Sequence, residues 1–193
     1  MDVRSTPEWM ETALAELDRR IAGWRFEPHP RVRGGHLQTF AGALWRRRHH
    51  HDLDGAEARR IRVSEDTEVI VRASWQPNRV ERPTVLLVHG LEGCVESCYM
   101  LGTADKALAA GWNAVRMNMR NCGGTEHLGP ELYHSGMSSD VAAVVRHLVD
   151  ATRLDRIAVV GFSLGGNLVL KMAGEWGADA PEALVGVAAV SPA

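Results

Sequence analysis

The 193-residue sequence has few cysteines, little excess charge and no long apolar run. No stretch of 18 consecutive apolar residues occurs, so we predict no membrane-spanning segment. A formal net charge of -2 provides no electrostatic basis for binding nucleic acid. Only three cysteines are present, and the charged first twenty residues lack the apolar core of a signal peptide. We therefore expect a reducing, cytoplasmic setting.

Signals for metals and cofactors are equally scarce. Cys94 and Cys98 are spaced as CxxxC, with no second cysteine or histidine pair to complete a metal site. The one dense basic run is Arg46–Arg48 followed by His49–His51. We interpret it as a solvated helix end or loop, with an anion or membrane contact as the alternative. No phosphate-binding glycine motif occurs, and we predict no metal and no cofactor.

Two regions differ in their pattern. Residues 1–55 contain a predicted helix over 7–21 and a second from about residue 36, separated by a stretch broken by proline and glycine. We expect this part to be a helical extension packed on the core. Residues 56–193 are predicted to be part of a single α/β domain.

Strands and helices alternate through this second region. Strands are predicted at 59–63, 68–75, 84–90, 113–120, 156–161 and 182–193. One intervening helix, over 138–153, presents an apolar stripe of Val141, Val144, Val145 and Leu148, with Ser138 or Ser139 as N-cap. Valine-rich strands separated by amphipathic helices predict a mostly parallel six-stranded sheet with helices on both faces.

The stretch Gly161-Phe162-Ser163-Leu164-Gly165 falls between the fifth strand and the helix that follows it. A serine in so sharp a turn adopts a strained backbone, and glycines on either side remove Cβ atoms that would collide. The alternative is an ordinary helix N-cap serine. We favour Ser163 as a catalytic nucleophile, because a strand precedes the motif and an amphipathic helix follows it.

A second motif is the sequence LLVHGLEG at residues 86–93, a strand that runs into a His-Gly loop. An acyl-transfer site needs two backbone N–H groups directed at the developing oxyanion. We expect these to be the N–H groups of Leu164 and Leu91. His89 and Gly90 are predicted to support this loop, and His89 is not expected to act as the base.

Five stretches together resemble the α/β-hydrolases, and more narrowly the YheT-like bacterial hydrolases and the ABHD-type lipid esterases. They are GGHLQTF (34–40), VHGLEG (88–93), the long block 99–126, LYHSGMSSDV (132–141) and GFSLGGNLVLKMAGE (161–175). The resemblance implies a Ser/Asp/His esterase acting on short- or medium-chain carboxylic esters or lipids. It also implies Ser163 as nucleophile, Leu91 and Leu164 as oxyanion donors, and an eight-stranded sheet.

The sequence departs from this pattern after Ser163. The next 30 residues contain Glu175, Asp179 and Glu182 but no histidine, whereas the family order is serine, acid, histidine. We expect the acid and the histidine beyond the end of this chain, which we interpret as a fragment, a truncated product or a degenerate homologue. We also expect the last strand to leave an open apolar edge, and the chain alone to be poorly stable and a feeble hydrolase.

The earlier charged and imidazole groups are weaker candidates. His127 and His134 lie after the fourth strand, where they could serve as a stand-in base only if they reached the serine. We interpret Asp140 through the dipole of the helix that it begins. Asp105 and Asp155 are expected to be solvated surface charges.

Two other functions stay open at this point. One is a non-catalytic α/β module that binds a ligand or a partner. The other is thioesterase or acyltransferase chemistry on the same serine. The oligomeric state is not predicted.

Overall fold

The computed structural model describes residues 8–25, 27–44 and 49–193. The chain divides into two compact units, Met1–Trp45 and Arg46–Ala193. The predicted basic segment Arg46–Arg48 lies outside the described residues. The prediction that residues 1–55 pack on the core as an extension stays a prediction.

The first unit contains two helices, α1 (Glu8–Ile21) and α2 (Gly35–Leu44). Both were predicted from the sequence and are confirmed. In α1, acidic residues occupy the first turn and Arg19 and Arg20 the last, a distribution that complements the helix dipole. Arg20 also donates to Glu16 one turn earlier, with 2.7 Å between Nε and Oε1.

The second unit contains the sheet and the remaining helices. Its strands are β1 (Glu57–Arg62), β2 (Glu68–Ser74), β3 (Thr84–Val88), β4 (Asn113–Met117), β5 (Ile157–Phe162) and β6 (Leu184–Val190). Its helices are α3 (Cys98–Ala109), α4 (Ser138–Asp150) and α5 (Leu164–Trp176), with short 3₁₀ turns at Arg79–Glu81, Glu126–Leu128 and Gly177–Asp179.

These six strands form one sheet in the order β1-β2-β4-β3-β5-β6. The four strands β4, β3, β5 and β6 are parallel, while β2 pairs antiparallel with both β1 and β4. The predicted class is therefore confirmed: an α/β fold with a mostly parallel sheet. Strand β6 pairs with β5 and forms one edge, where Val185 and Val190 are 57% and 47% exposed.

Helices cover both faces of the sheet, as predicted. Helices α4 and α5 pack on one face, and the predicted stripe of α4, Val141, Val144, Val145 and Leu148, is fully buried there. Helix α3 packs on the other face, where Met100, Ala104 and Leu108 meet Val85 and Leu87 of β3. Burial of these side chains on both faces explains why the central strands are almost continuously apolar.

Three local predictions were wrong, one of them the end of the last strand, which was expected at residue 193 and lies at Val190. Strand β4 was expected to reach residue 120 but ends at Met117, and the next three residues continue as a buried irregular segment. Neither Ser138 nor Ser139 caps α4: Met137 holds the N-cap position without a capping side chain. The Ser138 hydroxyl instead donates to Glu175 of α5 at 2.5 Å, because it lies in the interface between the two helices.

Parallel pairing determines where the loops meet. Strand β3 pairs with β5 in register from Thr84–Ile157 to Val88–Gly161. The carboxyl ends of parallel strands lie at the same edge of a sheet. The segment after β3, beginning at His89, therefore emerges beside Ser163, the residue that follows β5.

Candidate active site

Ser163 lies between the last residue of β5 and the first residue of α5, with φ 50° and ψ −118°. Few residues other than glycine adopt a positive φ, and such strain is concentrated at functional sites. The Ser163 N–H donates to the Val190 carbonyl at 2.9 Å, which anchors the turn to the neighbouring strand. The side chain itself is exposed. A strained backbone thus presents the hydroxyl at the carboxyl edge of the sheet.

Two glycines permit this turn because other chain segments pass directly over them. A Cβ on Gly161 would lie 2.2 Å from the Gly165 carbonyl oxygen. A Cβ on Gly165 would lie 2.3 Å from the His89 carbonyl oxygen. Both neighbours are backbone atoms, which cannot rotate away as a flexible side chain could. Any larger residue at either position would separate α5 from the ends of β3 and β5.

The loop after β3 lies next to the serine. A Cβ on Gly90 would be 3.2 Å from the Ser163 Cβ. The Gly93 N–H donates to the Gly90 carbonyl at 3.0 Å and closes a tight turn, within which Glu92 has φ 53°. Leu91 lies in this turn with its side chain 68% exposed.

In the described part of the chain, the N–H groups of Leu91 and Leu164 have no hydrogen-bond acceptor. Leu164 is the first residue of α5, where the N–H groups lack partners within the helix and the helix dipole favours negative charge. The two residues predicted as oxyanion donors are therefore both unoccupied donors. They lie on the two segments that adjoin the serine.

His89 is fully buried and bonded at both ring nitrogens. Its Nε2 is 3.0 Å from the Met119 nitrogen, and its Nδ1 is 2.7 Å from the Gly90 oxygen. Because an N–H can only donate, Nε2 must accept and the ring proton must lie on Nδ1. Burial lowers the pKa of His89, and the bond to the Gly90 carbonyl opposes this shift only in part. The neutral ring joins the β3 loop to the segment after β4.

No side chain among the described residues hydrogen-bonds to the Ser163 hydroxyl. His134 is exposed, and its Nδ1 accepts the N–H of Gly136 at 3.0 Å. His127 is exposed in the 3₁₀ turn that follows β4. Among the described residues, neither His127 nor His134 therefore has a hydrogen bond to Ser163 that would let it act as the base.

The structure gives two acids partners that the sequence did not predict. Asp140 lies in the first turn of α4, where the helix dipole favours a carboxylate, and it also receives two bonds from Arg120, at 2.6 and 2.8 Å. Asp105 was expected to be a solvated surface charge, but it is 8% exposed. It accepts the N–H groups of His50 and His51 and lies 2.8 Å from His51 Nδ1. Both carboxylates therefore hydrogen-bond to segments that are distant from them in the sequence.

Sequence reasoning missed the residues that brace the β3 loop. The Asn118 side chain accepts the Val95 N–H at 2.8 Å, and the fully buried Arg116 donates to the Val95 carbonyl, also at 2.8 Å. The hydroxyls of Tyr99 and Tyr133 accept two further N–H groups from the loop. All four lie in stretches that carry the family resemblance, which was the only available signal. No local periodicity marks them.

A pocket of about 390 Å³ lies elsewhere in the second unit. It is lined by residues 51–52, 55–57, 73–76 and Leu108, and includes none of the predicted site residues. Ser74 at this pocket pairs with Ala114 at the start of β4. Because β4 and β5 are parallel, the pocket lies at the amino ends of these strands, whereas Ser163 lies at their carboxyl ends.

Neither a metal centre nor a membrane span is present in the described residues. Residues 8–25, 27–44 and 49–193 contain no group of three metal-ligating side chains that could hold an ion. Within the same ranges, each helix is too short or too polar to cross a bilayer.

The sequence profile of the alpha/beta hydrolase fold matches residues 83–192. The chain therefore belongs to the α/β-hydrolase family. The relatives that it matches include YheT and ABHD proteins, in line with the resemblance.

Individual relatives show how much of a whole protein the chain represents. It is 33% identical to YheT of Escherichia coli (strain K12) over 114 residues, covering 58% of this chain and 34% of YheT. It is 32% identical to the phospholipase ABHD3 of Mus musculus over 100 residues, covering 52% of this chain and 24% of that protein. The chain thus aligns with about a third or less of these relatives.

The fold is also similar to solved structures. The esterase Pf2001 of Pyrococcus furiosus superposes with a TM-score of 0.57 at 25% sequence identity. The match covers 73% of this chain and 53% of that one.

Proposed function

We propose that the protein is a serine hydrolase of carboxylic esters, with Ser163 as nucleophile and the N–H groups of Leu91 and Leu164 as the oxyanion donors. The observation that carries this proposal is the strained, exposed Ser163 flanked by two unoccupied backbone donors. Donors that are already oriented cost no reorganisation when charge develops, so they stabilise a transition state effectively.

The reaction runs in two halves. The Ser163 hydroxyl oxygen attacks the ester carbonyl carbon while a base takes its proton, and the carbonyl oxygen becomes an oxyanion held by the two N–H groups. When the oxyanion collapses, the ester bond breaks and the alcohol leaves with the proton returned by the base. Water then hydrolyses the acyl-enzyme by the same steps and restores Ser163.

The base and its supporting acid are proposed to be a histidine and an aspartate that follow residue 193 in the whole protein. Within this chain, His89 is committed at both nitrogens, and no described side chain contacts the Ser163 hydroxyl. Without a base, an oxyanion site alone leaves only weak residual catalysis. We therefore expect this chain alone to be a feeble hydrolase.

The proposed substrates are short- or medium-chain esters or lipid esters. Two exposed leucines support an apolar acyl group: Leu91 is 68% exposed, and Leu132 is 73% exposed beside Tyr133, which bonds to the same loop. The naming of the relative ABHD3 as a phospholipase supports a lipid ester. A cytoplasmic setting is supported by the three cysteines, none of which forms a disulfide.

Labelling with a fluorophosphonate tests the nucleophile, because this reagent phosphonylates activated serines. The 193-residue chain and the whole protein are compared, each with Ser163→Ala as its control. We expect rapid labelling of the whole protein that Ser163→Ala abolishes, and slow labelling of the chain alone. A whole protein that folds but is not labelled would contradict the proposal and favour a non-catalytic module. If Ser163 is labelled, comparing ester with thioester turnover separates ester hydrolysis from thioesterase or acyltransferase chemistry.

A further inference from the structure

The chain contains only two tyrosines, and both hydroxyls bind the loop after β3. The Gly90 N–H donates to the Tyr99 hydroxyl oxygen at 3.0 Å. The Glu92 N–H donates to the Tyr133 hydroxyl oxygen at 2.9 Å. These two N–H groups lie on either side of Leu91, the proposed oxyanion donor.

The loop contains four successive N–H groups, and three of them are occupied. Those of Gly90 and Glu92 bond to the two tyrosines, and that of Gly93 bonds to the Gly90 carbonyl. Only the Leu91 N–H has no acceptor among residues 8–25, 27–44 and 49–193. Of these four N–H groups, a ligand can therefore bind that of Leu91 without breaking an existing hydrogen bond.

The peptide group that contains the Leu91 N–H is also held from its other side. Its carbonyl belongs to Gly90 and accepts two bonds, from Gly93 N–H at 3.0 Å and from His89 Nδ1 at 2.7 Å. A trans peptide directs its N–H opposite to its C=O. Bonds on this carbonyl, together with bonds on the preceding and following N–H groups, therefore fix the direction of the Leu91 N–H.

Tyr99 also contacts the strand that leads to the serine. Its ring lies 4.8 Å from the ring of Phe162, the residue before Ser163, at an interplanar angle of 50°. A Cβ on Gly93 would lie 2.6 Å from the Tyr99 hydroxyl oxygen, so glycine allows the hydroxyl to approach the turn. Tyr99 thereby fixes the loop relative to the nucleophile as well as to its own helix α3.

We propose that Tyr99 and Tyr133 are positioning residues for the oxyanion site: by occupying the N–H groups of Gly90 and Glu92, they hold the Leu91 N–H in place as the single donor of this loop. This inference rests on the proposed function. The Tyr133 hydroxyl also binds the N–H of Glu92, a residue with a positive φ of 53°.

Amide hydrogen exchange followed by NMR tests the arrangement without any catalytic activity. In the wild-type chain we expect the Leu91 amide to exchange at least about tenfold faster than those of Gly90 and Glu92, since only these two are hydrogen-bonded. Tyr99→Phe should accelerate exchange at Gly90, and Tyr133→Phe at Glu92. Slow exchange at Leu91, or no change in either variant, would overturn the inference.

The rate of Ser163 phosphonylation tests the consequence for chemistry. In the whole protein we expect each Tyr→Phe variant to lower the maximal rate about tenfold and to leave the concentration for half-maximal rate unchanged, because the oxyanion is contacted only in the transition state. Thr103→Val is the matched control, since its hydroxyl bonds to the Tyr99 carbonyl within α3. It should react like wild type.

The two assays separate the possible failures. An unreactive Ser163 in the wild-type whole protein would defeat the proposed function, while the exchange pattern would still decide how the loop is held. Normal reactivity in both Tyr→Phe variants, with altered exchange, would show that the tyrosines shape the loop without positioning the donor. That result would overturn the inference and leave the proposed function intact.

Discussion

Replacing Arg120 by methionine removes the cation from a buried ion pair. The side chains of Arg120 and Asp140 are only 6% and 5% exposed, and two bonds of 2.6 and 2.8 Å join them. The pair links the segment after β4 to the first turn of α4. The bond to Asp140 raises the pKa of Arg120, against the opposing effect of burial. The guanidinium of Arg120 therefore keeps its charge in the folded protein.

The cost of Arg120→Met comes from the carboxylate left behind. A buried charge that loses its partner destabilises a protein by about 3–5 kcal/mol. The third partner, Glu131, is 68% exposed, so losing its pair with Arg120 adds little. For a domain of this size, about 2–4 °C are lost per kcal/mol, so we expect the melting temperature to fall by roughly 6–20 °C.

Urea denaturation of four proteins measures this cost. We expect Arg120→Met to lose about 3–5 kcal/mol, and Arg120→Met with Asp140→Leu to recover most of it, since the double change leaves no buried charge. Arg60→Met is the control, because Arg60 is exposed and lies 3.9 Å from Glu68, a distance at which an ion pair contributes little. A single variant within about 1 kcal/mol of wild type, or a double variant no more stable than the single, would refute the reasoning.

Two further predictions follow from shifted pKa values. Burial lowers the pKa of His89, so below about pH 6.5 the unfolded state binds more protons there than the folded state does. The stability that this neutral ring contributes is therefore present above about pH 6.5 and is lost as the pH falls. Urea denaturation between pH 7 and 5 should show a shallower loss in His89→Gln, whereas exposed His127→Gln should keep the wild-type slope; equal slopes would contradict this. Burial raises the pKa of Cys122 to about 11, so an aromatic disulfide reagent at pH 8 should modify exposed Cys98 first. Peptide mass spectrometry checks the order, and equal rates in the folded protein would disprove it.

Much of the fold could be predicted because its signals are local. The central strands follow from runs of valine and leucine, the first two from a period-two pattern, and the buried stripe of α4 from residues three and four apart. The turn around Ser163 is recognisable because Gly161 and Gly165 lie within two residues of it. The end of β4 was misplaced because the sequence reads as a strand up to residue 120. In the structure the strand ends at Met117, and the side chain of Asn118 accepts the Val95 N–H of the loop after β3.

The candidate site was only partly predictable for the same reason. Ser163, Leu91 and Leu164 were proposed as site residues from motifs that depend on neighbouring residues. The Tyr133 contact joins residues 41 positions apart, and Asp105 bonds to residues more than 50 positions away. Composition offers no signal for such partners. A tyrosine or an aspartate reads the same in the sequence whether its side chain is solvated or hydrogen-bonds to a distant segment.

The sequence by itself determined the strand and helix pattern, the α/β class and the serine at the turn, since each depends on periodicity or steric demands within a few residues. Only the tertiary structure decided which N–H of the β3 loop is left without an acceptor. That depends on two hydroxyls, from Tyr99 and Tyr133, which reach the loop from α3 and from the segment after β4. Hydrogen bonds between segments are set by the path of the whole chain, and no short stretch of sequence encodes that path.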